Sequence, residues 1–457
     1  MLYFLLALIH VFFRWTMAYR VFHKSPEDEA KTLSISKILI VRRGMYLTTL
    51  IIADLSFAFG IAYIFTGQIL FSLVYSLILM LVMFSFRAFE EEHISETSEQ
   101  LVRTTISAVF AVLFTVLVYS FINVRPSFHK LVFSSIVSII VISLLNSTIS
   151  KIMMKHIKPK RYLVIGRKEE ISHILDEITK KSKGKYLFVD YINPSPAVLK
   201  KKIKTYDNVL VANYELYKHI EYLLENSHVK VEYLSELAEK VLKRIPLEVI
   251  DYFKEYYELE FQKANESPAK RMLDIFGAIV GLIVFSPFIL ISAIFILIED
   301  GPPVTFKQFR VGKDNKEFLL VKLRSMRKER DGKAKFADQE KDRILKIGKI
   351  IRPTRIDESL QFWNILKGEM SIVGPRPEQI PFVREFEQKI PYYNYRHKLK
   401  PGLTGWAQIM YQYSSTLEQT RRKLEYDLYY IKNRSIFMDL RIMLQTIEAI
   451  FWRRGAK

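Results

Sequence analysis

Apolar residues gather in long runs along this chain. Residues 45–65, 69–89, 101–123 and 131–150 are four such stretches, separated by short polar breaks. Each is close to the roughly 20 residues an α-helix needs to cross a bilayer. The pattern predicts a four-helix transmembrane bundle within residues 44–155. Residues 2–22 are also apolar but contain His10 and Arg14, and no small-residue cleavage site follows them. They predict an interfacial helix within an N-terminal segment 1–43, with a fifth crossing as the alternative. Lys24, Lys31, Lys37, Arg42 and Arg43 lead into the first run, Arg87 and Arg103 flank the break between the second and third, and Lys151, Lys155, Lys158, Lys160 and Arg161 follow the fourth, against Arg125 and Lys130 between the third and fourth. Both ends of the bundle are therefore expected on the cytoplasmic face.

From residue 160 the pattern changes. Short β-type runs at 162–165, 186–192 and 208–212 alternate with helical stretches at 169–183 and 214–225, which predicts a parallel α/β, Rossmann-like domain over 160–247. A dinucleotide turn needs several glycines to bring backbone amides against a pyrophosphate. Here Gly166 is followed by Arg167, Lys168 and Glu169. The site is degenerate, and a structural or regulatory domain is expected. Residues 248–264 read as a charged, aromatic-rich connector.

Residues 275–298 form another charge-free run of 24 residues, roughly 36 Å as a helix. Ser286-Pro287 falls in its middle, where proline removes a backbone hydrogen bond. Basic residues flank both ends. The expectation is a re-entrant membrane helix over 272–298 that breaks at Ser286 and Pro287 and returns to the cytoplasmic side; the alternative is an ordinary kinked crossing.

Composition narrows the chemistry. The 457 residues are 50% hydrophobic, carry a formal net charge of +20 and contain no cysteine. Disulfides, thiolate metal sites and thiol nucleophiles are excluded, and the charge points to polyanionic partners. Of the nine histidines only His397 lies in the C-terminal part. No HExxH, G-x-S-x-G or P-loop pattern occurs there. What remains is carboxylate chemistry. Asp357-Glu358 is preceded by Arg352 and Arg355 and followed by Gln361, Asn364 and the turn Gly374-Pro375-Arg376-Pro377. Neighbouring residues do not share a face, so one carboxylate is free to attack a substrate while the other holds a metal. Mg²⁺ suits one or two carboxylates plus substrate phosphates, and arginines match phosphate oxygens.

Asp274, Gly301-Pro302, Gln308, Arg310, Gly312, Lys322-Leu323-Arg324-Ser325-Met326, Asp357-Glu358, Gly374-Pro375-Arg376-Pro377, Lys400-Pro401-Gly402-Leu403-Thr404-Gly405-Trp406 and Tyr426-Asp427 with Tyr430 occur in order. Together, over about residues 265–457, they closely resemble the bacterial sugar transferases, polyprenyl-phosphate phosphoglycosyl transferases. The N-terminal regions resemble the larger members that begin exopolysaccharide, capsule or O-antigen synthesis, including undecaprenyl-phosphate galactose or glucose phosphotransferases. The resemblance implies a mostly α catalytic domain whose Asp357 attacks the sugar-linked phosphate of a UDP-sugar, releasing UMP. It implies Mg²⁺ on Glu358, polyprenyl phosphate as acceptor, and phosphate binding by Arg352 and Arg376, with Lys322 and Gln361 supporting the pair. Asp427 and Tyr430, three apart on a helix, are expected to close the site. Arg324, Arg396 and Lys400 are either substrate contacts or a basic surface against lipid headgroups. Where many members read Asp-Glu-Leu-Pro-Gln, this chain reads Asp357-Glu358-Ser359-Leu360-Gln361, so Leu360 stands at the proline position while both acids and Gln361 are kept. A bacterial inner-membrane location, a cytoplasmic catalytic domain, membrane lipids as partners and a homodimer are further expectations. No nucleic-acid reader motif occurs. The rival reading is a membrane-anchored regulator or scaffold of polysaccharide assembly.

Overall fold

A computed structural model describes residues 43–89, 94, 97–121, 128–156, 159–192, 196–206, 208–225, 229–327, 343–411 and 416–451; the helix expected at 2–22 lies outside them. Four helices open the described chain: α1 (Arg43–Thr66), α2 (Ile69–Ser85), α3 (Thr97–Phe121) and α4 (Phe128–His156). Each of α1 and α3 packs against both α2 and α4. Small and polar side chains fill the interior: Asn146 donates to Asp54 at 2.7 Å and Tyr75 to Ser135 at 2.8 Å. Leu73, Leu81, Leu113, Leu117, Ile140 and Leu144 are exposed. Polar inside and apolar outside is the arrangement a lipid solvent selects. Among the described residues three stretches are long and apolar enough to cross a membrane: Gln100–Ser120, Phe128–Ile152 and Pro268–Asp300. The apolar parts of the first two helices, Leu50–Thr66 and Ile69–Ser85, are shorter, at 17 residues or fewer. The expected run to residue 89 stops early because α2 ends at Ser85 and the chain turns through Arg87 at φ 61°. The chain is a membrane protein with an α/β region.

That region begins four residues after α4. Strands β1 (Lys160–Ile165), β2 (Tyr186–Ile192), β3 (Asn208–Val211) and β4 (Lys230–Tyr233) form a parallel sheet in the order β2-β1-β3-β4. Helices α5 (Lys168–Lys181), α6 (Pro196–Lys202) and α7 (Leu234–Leu242) connect or follow the strands. Strand β4 was not foreseen, being only four residues long, and the stretch 214–225 splits into two one-turn helices. A Cβ on Gly166 would stand 3.0 Å from the Ala212 Cβ. This glycine therefore serves close packing between the ends of β1 and β3, where a dinucleotide turn would have used it to approach phosphate. Residues 248–264 are no free connector. They form two short helices whose Phe253, Tyr257 and Phe261, spaced by four, share a buried face in a core common to the α/β region and the C-terminal part.

Helix α8 (Pro268–Asp300) is continuous over 33 residues. Ser267 caps it, accepting from the Lys270 amide at 3.2 Å, and Pro268 takes the first helical position, where no amide is needed. The expected break at Ser286-Pro287 does not interrupt the helix. Pro287 has no amide to give to the Ile283 carbonyl, and the Ser286 hydroxyl donates to that same oxygen at 2.8 Å. Lys270, Asp274, Ala278, Gly281, Ser292 and Ile296 form a buried stripe, while Phe276, Ile283, Leu290 and Ile298 are exposed. The C-terminal part is otherwise mostly helical. Its strands are a hairpin, β5 (Thr305–Val311) with β6 (Glu317–Leu323), and a short parallel pair, β7 (Ser371–Val373) with β8 (Gly402–Thr404). Helices α9 (Gln361–Lys367), α10 (Leu417–Asn433) and α11 (Ile436–Phe451) complete it.

Candidate active site

Asp357 and Glu358 sit on a single 3₁₀ turn, Ile356–Glu358, between Arg352 and α9. Arg355, just before it, takes a left-handed conformation at φ 58°. That is uncommon for a residue with a Cβ and often marks a functional turn. Both acids point inward and are buried. Helix α9 fixes the turn against β6 through Asn364, which donates to the Leu319 carbonyl at 2.8 Å and accepts from the Val321 amide at 3.2 Å. Lys322 is thereby held close to the acids, its ammonium 5.2 Å from the Phe306 ring centroid.

The surroundings shift the two carboxylates in opposite directions. Burial, then the neighbouring Glu358 charge, pushes Asp357 up to about 7 against the pull of Lys322, Arg355 and Arg352. Burial also works to raise Glu358, but Arg376 and Arg355 outweigh it and hold that carboxyl low. Arg376 donates to Glu358 Oε1 at 2.8 Å and Arg355 to the same oxygen at 3.3 Å. Oδ1 of Asp357 is buried with no hydrogen-bond partner among the described residues. A buried polar atom without a partner costs on the order of 1–3 kcal/mol, a cost that a bound ligand can remove. Lys322 is pushed below its ordinary value by burial, which the two acids oppose. His397 is driven to about 3 by burial and Arg396, so it stays neutral and is no general base at physiological pH.

Arg376 reaches the pair because its turn is built on bare backbone. A Cβ on Gly374 would stand 2.4 Å from the Lys400 carbonyl oxygen, and one on Gly405 2.2 Å from the Gly374 oxygen. Only glycine permits that approach. Behind the turn, Arg396 donates to the Arg376 carbonyl at 2.9 Å and to Asp427 through Nη2 at 3.0 Å. Lys423 on α10 donates to Glu378 at 2.7 Å. Arg310, lowered to about 10 chiefly by burial, donates to the Pro377 carbonyl at 3.1 Å.

Of the residues expected at the site, Asp357, Glu358 and Arg376 meet directly. Lys322 and Arg352 act on Asp357 through their charge, and Gln361 is buried one turn on. The others are elsewhere. Arg324 is buried and donates to the Asp300 carbonyl at 3.1 Å, closing the C-terminal end of α8. Arg396 is likewise buried, so neither is a basic surface. Lys400 pairs with Glu266 at 3.3 Å. Asp427 holds Arg396 and so supports the Arg376 turn from behind. Tyr430 donates to Asp439 at 2.7 Å and to the Val373 carbonyl at 3.2 Å. Trp406 donates to the Lys243 carbonyl at 2.9 Å and is buried. Arg355, which the sequence shows only as a neighbour of the pair, grips Glu358; its place three residues before that acid on a turn is a pairing signal.

The sequence profile of the family described as "Bacterial sugar transferase" matches residues 265–453. An exopolysaccharide production protein, PSS, of Rhizobium leguminosarum bv. phaseoli is 40% identical over 185 residues, which cover 39% of this chain and 92% of that one. The chain belongs to the bacterial sugar transferase family. Its relatives in this family include a UDP-N-acetylgalactosamine-undecaprenyl-phosphate N-acetylgalactosaminephosphotransferase of Aeromonas hydrophila, 40% identical over 50% of this chain and 54% of the relative. A UDP-glucose:undecaprenyl-phosphate glucose-1-phosphate transferase of Klebsiella pneumoniae is 40% identical over 41% of each. The matched part thus spans about half the length of these longer sugar transferases, or less.

Proposed function

We propose that this sugar transferase moves a sugar-1-phosphate from a UDP-sugar to polyprenyl (undecaprenyl) phosphate, starting a lipid-linked glycan, through an aspartyl intermediate on Asp357. The observation that carries the reading is the unpartnered Oδ1 of buried Asp357 beside a Glu358 clamped by two arginines. The names of its relatives support the substrate classes.

In the first step an Asp357 oxygen attacks the sugar-linked phosphorus. The phosphoanhydride bond to UMP breaks, UMP leaves with the electron pair, and an acyl phosphate carrying the sugar remains. In the second, an oxygen of polyprenyl phosphate attacks the same phosphorus, and the bond to Asp357 breaks with its electrons, regenerating the carboxylate. Arg352 and Lys322 offset charge on the phosphate oxygens, and Arg376 and Arg355 keep Glu358 ionised. Among the described residues no cluster of three or more His, Asp or Glu side chains is arranged for a metal. Two adjacent carboxylates nonetheless fit Mg²⁺, which takes its remaining ligands from water and substrate phosphates. Both arginine contacts fall on Oε1 of Glu358, so its Oε2 would hold the ion while Asp357 stays free to attack. When bound, the ion supplies charge neutralisation at the diphosphate.

We read α1–α4 as four crossings of the bacterial inner membrane with both ends cytoplasmic, and α8 as re-entrant. Both ends of α8 engage the same domain, which supports the second reading. Near its start Asp274 accepts from Ser371 and from the Ile372 amide, each at 2.9 Å. Near its end Ile296 packs with Leu323, Leu345 and Ile351. A helix that left through the far leaflet would part from that domain.

Trapping with donor labelled in the sugar phosphate tests the mechanism. Label is expected on the polypeptide before acceptor is added, and it is lost in Asp357→Asn. Lipid-linked product forming without any labelled polypeptide overturns the intermediate. Absence of UMP release with every UDP-sugar, from folded protein, favours a scaffold.

A further inference from the structure

In a parallel sheet all strands start at one edge, and here that edge is basic. Arg161 is second in β1, Lys180 lies in the last turn of α5, Lys183 leads into β2, Lys200 and Lys201 lie in the last turn of α6, and Lys230 opens β4. All six are exposed. Among the described residues near these cations, Glu177 is engaged by Arg244 and Arg422, Glu232 by Lys160 and Lys230, and Asp190 by Lys202, while Asp176 is exposed. The opposite edge is mixed, with Arg167, Lys168 and Lys218 against Glu169, Glu170, Glu215 and Glu221.

The basic edge also lies at the membrane end of the molecule. Three residues separate His156, the end of α4, from Lys160, a reach of at most about 14 Å. A second path leads to the same place. Arg441 lies over Phe84, near the end of α2, at 5.8 Å and over Trp406 at 5.6 Å. Trp406 donates to the Lys243 carbonyl at 2.9 Å, and Lys181 donates to the Leu242 carbonyl at 3.0 Å. We propose that this edge of the α/β domain docks on the anionic phospholipid headgroups of the leaflet that α2 and α4 enter, holding the domain against the membrane. The proposal rests on α2 and α4 crossing that membrane. Its chemistry is counterion-like attraction, worth roughly fivefold in the docked population per cation at the surface and screened by salt.

Backbone amide exchange of the full-length protein tests it, in nanodiscs of phosphatidylcholine alone and of phosphatidylcholine mixed with phosphatidylglycerol. Peptides over 178–186 and 199–205 are expected to exchange at least about fivefold more slowly in the anionic discs. The difference should vanish at high salt and in a variant combining Lys180→Glu, Lys183→Glu, Lys200→Glu and Lys201→Glu. The peptide over 166–171 at the opposite edge should be indifferent to lipid. Equal exchange at the basic edge in both discs overturns docking. So does slowing that survives charge reversal while β1 and β3 keep their protection. Failure of the folded chain to enter either disc overturns instead the membrane reading beneath it.

Discussion

Two buried arginine–carboxylate groups stand back to back in the C-terminal part, and they are finished to different degrees. In the rear group Arg396 spends its guanidinium on Asp427, Tyr393 and the Arg376 carbonyl, and Lys423 takes Glu378. In the front group Glu358 is doubly held while Asp357 keeps a buried oxygen without a partner. A protein that leaves a buried acceptor open accepts a stability cost there. The completed group is the frame, and the incomplete one is where a ligand completes the pairing.

That contrast is broken most directly by Asp357→Asn. Turnover should fall by on the order of 10⁴-fold, as for loss of a covalent nucleophile, with the melting temperature unchanged or raised because a buried acid is neutralised. A variant that kept its rate would transfer the nucleophile's role elsewhere. In the rear group Asp427→Ala should act the other way. It strands the buried Arg396 charge, so a stability loss of about 3–5 kcal/mol is expected, read by thermal unfolding in detergent. If Asp427→Ala abolished turnover without loosening the fold, the frame assignment would be wrong.

Lys322→Met sharpens the front group. Asp357 sits near 7 in the free protein, and it must be ionised to attack. The rate constant kcat/KM should therefore rise with pH through the neutral range and be lost below it. Removing Lys322, which favours the ionised acid, should move that limb to higher pH; a shift of one pH unit lowers kcat/KM about fivefold at pH 7 and about tenfold well below it. A limb that stays put would take Lys322 out of contact with the titrating group. The smallest effect belongs to Lys400→Ala, whose ammonium pairs with Glu266. Turnover within a few-fold of the parent is expected, with at most about 1 kcal/mol lost from stability; a large fall in kcat/KM would restore Lys400 as a substrate contact.

The features legible in the sequence are those that depend on residue type and spacing. Apolar runs located α1–α4 and α8, alternation located β1 and β2, and the acidic pair with its arginine-bearing turn located the site. What escaped depends on direction. Arg324, Arg352, Arg376 and Arg396 look alike in a motif; packing alone decides that Arg324 closes a helix end, Arg396 braces a turn and Arg376 grips Glu358. The 248–264 helices escaped because charged residues between Phe253, Tyr257 and Phe261 masked the shared face, and β4 because four residues carry too little pattern. Arg355 stood out beside the pair, but its grip on Glu358 escaped because a left-handed backbone leaves no signature in a residue with a side chain.

Helix α10 serves two neighbours at once. Lys423 and Asp427 turn toward the Arg376 loop, while Glu425 is buried against Arg244 and Lys432 pairs with Glu239. The C-terminal part is therefore not a detachable module in this protein. Excised at residue 265, it would bare an acid shaped for an arginine left behind, so grafting it into a shorter transferase calls for re-tailoring that flank.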